Sequence, residues 1–461
     1  MNPRLVSLLE NAGQSRLLGH LQKLPPGERL ALVAQLDAID PQFWQALKPA
    51  DDGRAETHAR LLRAEPPAAI RLCDSRRAAA EAAYRRGADA LAAGKIAAVM
   101  VAGGQGTRLG FPHPKGMFPL GPVSGRTLFQ IHVDRLRAVA QRFGASIPLL
   151  VMTSDATHAE THEFFASHER FGLAQENFGI FCQRQLPAID AATGELLFEA
   201  PGRLSLHPDG HGGMLPALAE SGWLRELQAR GIEQIFYFQV DNPLTQIADP
   251  EFVGLHLLAD SELTTQVVAK RAADERVGNV VSMEGRMEVV EYFDLERFPE
   301  IAGQTHFDGS LKLWAGNLAI HLFSLDFLQR AAASDASLPL HRSSKTVPHL
   351  DAAGRLIRPT TENGVKFERF IFDLLPLARR SLAVEVERTT HFAPVKNAHG
   401  ADSAATSRQA MSQLAREWLQ QAGVEVKPDV AIEISPLFAL EPRDLAGKWR
   451  GASIESACFL A

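Results

Sequence analysis

Apolar positions in the first 93 residues recur at helical spacing. Leu5, Leu8 and Leu9 form one set, and Leu17, Leu18 and Leu21 the next. Pro25 and Pro26 interrupt the pattern before a helix expected around Glu28–Asp37. An Ala- and Arg-rich stretch, Ala68–Ala93, ends at Gly94, a residue suited to the left-handed conformation that closes helices. Its arginine pairs, Arg76-Arg77 and Arg85-Arg86, are interspersed with Asp74, Glu81 and Asp89, the texture of a solvated helix face rather than of a basic patch. This region, 1–93, shows no residue of evident chemistry.

From residue 95 short apolar runs alternate with amphipathic stretches. The runs are Ile96–Ala102, Ile147–Thr153, Ile180-Phe181, Ile235–Val240 and Leu263–Ala269. Strands apolar on both faces and separated by helix-length segments predict a mainly parallel α/β sheet covered on both sides. Val280-Val281, Met287–Tyr292 and Leu311–Trp314 alternate more and predict added antiparallel strands, which would make the sheet mixed. A helix over Ser407–Ala422 followed by Pro-containing segments predicts a small C-terminal domain, 401–461, after a central domain, 94–400.

Composition narrows the function classes. The 461 residues carry a net charge of −6, a poor balance for a dedicated binder of nucleic acid or anionic membrane. No apolar run reaches the ~18 residues that span a bilayer, and the N-terminus lacks a signal-peptide core. Cys73, Cys182 and Cys458 are scattered and odd in number, which argues against a disulfide framework or a Cys-rich metal site. A cytoplasmic protein is expected.

The first strand runs directly into Gly103-Gly104-Gln105-Gly106-Thr107-Arg108-Leu109-Gly110, followed by Pro114-Lys115. Glycines at the carboxyl end of a parallel strand let backbone N–H groups approach an anion, and ligands of open α/β sheets sit at that edge. The loop therefore reads as a phosphate or nucleotide cradle, with positive charge from Arg108 and Lys115. It is not a P-loop, which needs Gly-Lys-Ser/Thr. Gly104, Gly106 and Gly110 give G-x-G-x-x-x-G, one residue too long for the dinucleotide fingerprint, and the ribose-binding acid ~20 residues on is missing. His158 and His162 share a helical face, but Glu160 is misplaced for a zinc-protease motif. No G-x-S-x-G nucleophile turn occurs.

AGGQGTRLG with PKGM (102–117) and TLFQI (127–131) resembles the UTP-using nucleotide-sugar pyrophosphorylases, in particular the UDP-N-acetylhexosamine (UDP-GlcNAc) pyrophosphorylases. The likeness continues through PDG-x-GG (208–213), VDNPL (240–244), VVEY (289–292), AGN (315–317), NGVKFERFIFD (363–373), FAPVKN (392–397) and EISPL (433–437). It implies a central Rossmann-like nucleotidyltransferase sheet flanked by helices, with a helical N-terminal part and a small C-terminal domain. The implied substrates are UTP and a hexose 1-phosphate, and the implied products a UDP-sugar and pyrophosphate. An anionic nucleophile needs little acid–base help, so the demand falls on cations, backbone N–H donors and a divalent metal.

By motif position the resemblance gives Arg108, Lys115 and Lys396 catalytic roles. Arg108 and Lys115 would grip the departing phosphates, and Lys396 would reach the sugar phosphate. Val101, Ala102, Gly103, Gly104, Gly106, Lys115, Gln183, Gly210, Asp241 and Lys366 would surround the nucleotide, with Gln183 and Gly210 reading uracil. Asp241, at the end of a buried strand, would hold Mg²⁺ together with phosphate oxygens, an ion that keeps most of its shell as water and phosphate. His211, Gly278, Glu291, Asn317 and Lys396 would meet the sugar. From pattern alone Glu291 would pass as an exposed strand residue and Asn317 as a turn residue.

One departure bears on the sugar. The N-acetylhexosamine enzymes usually read PDGNGG, whereas position 211 is His, closer to the UDP-glucose and broad-specificity UDP-sugar enzymes. N-acetylglucosamine 1-phosphate is favoured and glucose 1-phosphate is the alternative. Two readings of other kinds compete: an NAD-type oxidoreductase using the glycine loop, and a non-catalytic nucleotide-sugar sensor. Oligomeric state is not legible.

Overall fold

The computed structural model describes residues 3–47, 54–72, 80–334, 338–351, 353–448 and 453–461. Cys73 and the Arg76-Arg77 pair lie outside the described residues. Backbone contacts gather the chain into two compact units built from alternating segments. One comprises Met1–Ala55, Gln183–Ala217 and Ser334–Asp373, and the other Glu56–Cys182, Leu218–Ala333 and Leu374–Ala461. These units cross the boundaries at residues 93 and 400 expected from the sequence.

The larger unit is organised by a ten-stranded sheet. Its strands are β1 (Ala69–Ile70), β2 (Ile96–Val101), β3 (Leu149–Thr153), β4 (Phe178–Cys182), β5 (Gln234–Gln239), β6 (Leu263–Ala269), β7 (Asn279–Met283), β8 (Arg286–Val290), β9 (Ala315–Ser324) and β10 (Ser381–Glu385). The order is β1-β10-β6-β9-β5-β2-β3-β4, with β7 and β8 attached through β9. Parallel neighbours are β5, β2, β3 and β4 on one side, and β6, β10 and β1 on the other. β9 runs antiparallel between β5 and β6, so the sheet is mixed. Burial of Ile96, Ala98 and Met100 against Phe129, Val133 and Phe252 joins β2 to the helices Leu128–Phe143 and Pro250–Leu258 in one apolar core.

Several expected elements differ. Leu311–Trp314 is not a strand; the strand begins at Ala315 and holds buried Asn317 and His321, polar residues that hide its apolar character. The strand expected through Tyr292 ends at Val290, and Glu291 instead stands at the N-cap position of the short helix Tyr292–Glu296. Within the stretch read as wholly helical, Ala69–Ile70 pairs with Ala383-Val384 as an edge strand. The helix after it, Ala80–Ala92, does lead to Gly94 at φ +67°.

The smaller unit has its own core. N-terminal helices at Pro3–Asn11, Ser15–Lys23, Pro26–Asp37 and Pro41–Ala46 place Leu9, Leu21, Leu32 and Phe43 against Leu186, Leu204 and Phe367. A three-stranded sheet, His341–Lys345, Gly364–Glu368 and Ile189-Asp190, lies in this unit.

Candidate active site

In the larger unit, the carboxyl ends of β2 and β5 lie side by side, with Val101 paired to Gln239. The chain leaves β2 through buried Ala102, whose N–H donates to Met152 O at 2.8 Å, and enters the glycine loop. The loop closes on itself. Gly106 N–H donates to His113 O at 2.8 Å, Lys115 N–H to Gly104 O at 3.0 Å, and Ser154 Oγ–H to Gly103 O at 2.7 Å. A Cβ at Gly106 would lie 2.8 Å from the Phe111 carbonyl oxygen, and Gly110 sits at φ +70°, so the turn itself demands both glycines. Gly104 is different: it is exposed, and a Cβ there would meet nothing within 4 Å.

The loop delivers Lys115 to Asp241. The ammonium Nζ stands 3.4 Å from Oδ2, with the side chains only 19% and 14% exposed. Lys115 is the only hydrogen-bonding or ion-pair partner of the Asp241 carboxylate among the described residues. Arg108 is exposed on the same loop and forms no ion pair with a described residue.

Lys396 reaches this edge through main-chain pairing. Val395 N–H donates to Asp241 O at 2.9 Å, and Lys396 N–H to Asp402 O at 2.6 Å. Its Nζ is 3.9 Å from Asp402 Oδ2 and 5.7 Å from the centre of the Phe392 ring. Lys115, Asp241 and the Lys396 segment are thus assembled in one unit from three distant stretches of chain.

Gly278, Glu291 and Asn317 also meet. Asn317 N–H donates to Gly278 O at 2.8 Å, and a Cβ on Gly278 would lie 3.1 Å from Glu291 Oε1. Asn317 is buried within β9, its Oδ1 accepting from Thr265 Oγ1 at 3.3 Å and from the Ala319 N–H at 3.0 Å. Because β9 is antiparallel to β5 and β6, its first residues lie at the same sheet edge as the carboxyl ends of those strands.

The remaining candidates belong to the smaller unit. Gln183 follows β4 directly and is buried. Arg184 O accepts from Asp209 N–H at 3.1 Å, bringing Gln183 and Gly210 into neighbouring turns. Gly210, at φ +84°, leaves no room for a side chain, since a Cβ would sit 2.5 Å from Arg369 O. The loop 209–213 is tied to the segment after Lys366: Arg369 N–H donates to Asp209 O at 2.7 Å and Gly212 N–H to Arg369 O at 2.8 Å. The Arg369 guanidinium, 2% exposed, bonds Asp40 Oδ2 at 2.7 Å, Gln42 Oε1 at 3.0 Å and Asp209 Oδ2 at 3.2 Å. Asp40 and Gln42 come from the N-terminal helical region, which therefore contributes to the support of this loop after all. Burial pulls the Lys366 ammonium below the usual lysine range, opposed by Glu368 and reinforced by Lys345.

His211 is held as a neutral ring. Ile371 N–H donates to Nδ1 at 3.1 Å, which leaves the proton on Nε2. The ring stacks on Phe370 at 5.3 Å, and burial, with His341 nearby, pushes its pKa down to about 4. At neutral pH His211 offers a hydrogen bond, not a charge.

Residues 58–440 match the family model described as UTP–glucose-1-phosphate uridylyltransferase. The chain belongs to this family. Within it, the human UDP-N-acetylhexosamine pyrophosphorylase-like protein 1 is 34% identical, over 98% of this chain and 96% of that one. The UDP-N-acetylglucosamine pyrophosphorylase of Saccharomyces cerevisiae is 37% identical, over 79% and 78%. The crystal structure of the Trypanosoma brucei uridine diphosphate N-acetylglucosamine pyrophosphorylase in complex with inhibitor superposes with a TM-score of 0.82, at 27% identity, covering 99% and 97%. The mixed nucleotidyltransferase sheet expected from the motifs is the family's fold.

Sequence reasoning passed over Asn242, Asp40 and Arg369. Asn242 and Arg369 stand inside the quoted motifs VDNPL and NGVKFERFIFD, yet nothing local distinguished them from turn and surface residues. Asp40, ahead of Pro41, reads simply as a helix cap, and it does accept from Gln42 N–H at 2.8 Å. No helix among the described residues is long and apolar enough to cross a membrane.

Proposed function

We propose that the protein transfers the uridylyl group of UTP to N-acetylglucosamine 1-phosphate. A phosphate oxygen of the sugar phosphate attacks the α-phosphorus, the bond from that phosphorus to the bridging oxygen breaks, and pyrophosphate leaves. The observation that carries the reading is the convergence of Lys115, Asp241 and the Lys396 segment at the carboxyl ends of β2 and β5. Such a displacement is accelerated mainly by positioning two polyanions and neutralising the charge that develops.

Each residue then has a defined task. Gly104 leaves its backbone open to a phosphate where the fold itself requires no glycine. Lys115 and Arg108 neutralise the β- and γ-phosphates, and Lys396 the sugar phosphate. Gln183 and Gly210 hold the uracil, with Lys366 as a further cation, and Gly278, Glu291 and Asn317 hold the sugar hydroxyls and acetamide.

Asp241 fits a Mg²⁺ site of the kind that uses one protein carboxylate. Its carboxylate is partly exposed at the ligand edge, and no cluster of three or more His, Cys, Asp or Glu competes for an ion among the described residues. When bound, the ion would supply phosphate charge neutralisation. We place the reaction in the cytoplasm.

The relatives named above favour the N-acetylated sugar, and His211 is the specific observation that favours glucose 1-phosphate as the second reading. Pyrophosphate release from UTP, measured over a panel of sugar 1-phosphates, tests both. The highest kcat/KM is expected for N-acetylglucosamine 1-phosphate; a preference for glucose 1-phosphate would select the second reading, and no turnover of any sugar phosphate would overturn both.

A further inference from the structure

We infer that Asn242 is a positioning residue that holds Lys396 in register with Asp241. The inference rests on the proposed role of Lys396 at the sugar phosphate. Asn242 is buried, and its carboxamide is used in both senses on one short stretch of chain. Nδ2–H donates to His391 O at 2.7 Å, and Oδ1 accepts from Ala393 N–H at 3.0 Å. The next bond in the series is made by the neighbouring residue, Asp241, whose carbonyl accepts from Val395 N–H at 2.9 Å. Three hydrogen bonds from two consecutive residues therefore clamp 391–395, and Lys396 is the first residue beyond the clamp.

The far side is anchored too. The Asp402 carbonyl accepts from the N–H groups of Lys396 at 2.6 Å and Asn397 at 3.0 Å, and Asp402 itself is at φ +53°. Gln246 extends the seam, its Nε2–H donating to Thr390 O at 3.2 Å. The pattern requires a carboxamide. A partner C=O needs a donor and a partner N–H needs an acceptor, so aspartate would set an oxygen against the His391 carbonyl and leucine would take away the partner of both partly buried groups. Because the clamp is made by the Asn242 side chain and the Asp241 carbonyl, any displacement of the 391–395 segment alters the distance between the two ends of the site.

The test is a double-mutant cycle with kinetics for each substrate. Asn242→Ala should raise KM for N-acetylglucosamine 1-phosphate and lower kcat/KM by at least about tenfold, with KM for UTP nearly unchanged. Lys396→Ala should change the same parameters, and the double variant should be no worse than Lys396→Ala alone. Unchanged kinetics in a folded Asn242→Ala protein, or losses that multiply in the double variant, would overturn the inference. Wild-type kinetics in Lys396→Ala would instead overturn the reading beneath it. If Asn242→Ala does not fold, Asn242→Ser, which keeps one polar atom, carries the same comparison with the same outcomes.

Discussion

The ammonium of Lys115 stands 3.4 Å from the carboxylate of Asp241, although 126 residues separate them. Both side chains are largely shielded from water. The lysine offsets the carboxylate until phosphates arrive, and the carboxylate keeps the lysine at the mouth of the glycine loop. Such a half-buried pair is weakly stabilising at best, because desolvation cancels most of the Coulomb attraction. Its value lies in pre-placing a cation where charge will develop.

Lys115→Ala should therefore lower kcat by about two orders of magnitude or more, the usual loss when one charge-stabilising donor is removed. The fold should survive, with a far-UV circular dichroism spectrum like that of the parent. Turnover within a fewfold of the parent would take Lys115 out of the mechanism.

Asp241→Asn preserves shape and removes charge. Activity should require much higher Mg²⁺, and a Mg²⁺ titration of initial rates would show the shift. Excess chelator should abolish turnover by the parent protein; persistence of activity would remove the proposed role of Asp241.

His211→Asn should move the ratio of kcat/KM values toward N-acetylglucosamine 1-phosphate over glucose 1-phosphate if this position reads the sugar. Because His211 titrates at about 4 in the folded state, its charge does not change near neutrality. The pH–rate profiles of parent and variant should then have the same shape above pH ~6. An inflection near neutrality that disappears in the variant would contradict the neutral ring.

Acid should destabilise the protein below neutrality. Four histidines have folded-state values far beneath their ordinary 6.5: His132, His207 and His211 at about 4 and His256 at about 3, each chiefly through burial. Between the folded and unfolded values the unfolded chain binds more protons, so their contribution is complete above 6.5 and is lost as the pH falls toward 4. Asp209 and Asp249, raised by burial to about 6, act in the opposite sense over part of that window but are fewer. Melting temperature should drop from pH 6.5 to 4, and a flat profile would refute this balance.

Much of this protein was legible in its amino-acid order. β2, β3 and most of β5 announce themselves as apolar runs because strands buried on both faces need no polar alternation, and β6 buries Thr264, Thr265 and Gln266 among its apolar residues. The glycine loop is recognisable because glycines clustered directly after a buried strand mark a tight turn that side chains would obstruct, as Gly106 and Gly110 do here. These signals are local, and the quoted motifs led from them to the family and its chemistry. What only the tertiary structure decided depends on partners far apart in the chain. β9, carrying Asn317 and His321, looked unlike a central strand until its neighbours were present. Glu291 proved to stand at the N-cap position of a short helix rather than in a strand, and burial against Phe370 with a bond from the Ile371 N–H made His211 neutral. Asn242 meets a segment about 150 residues away, and Arg369 meets Asp40 more than 300 residues away. No periodicity records such pairings, because buried polar groups are satisfied by whichever donors and acceptors the fold brings beside them.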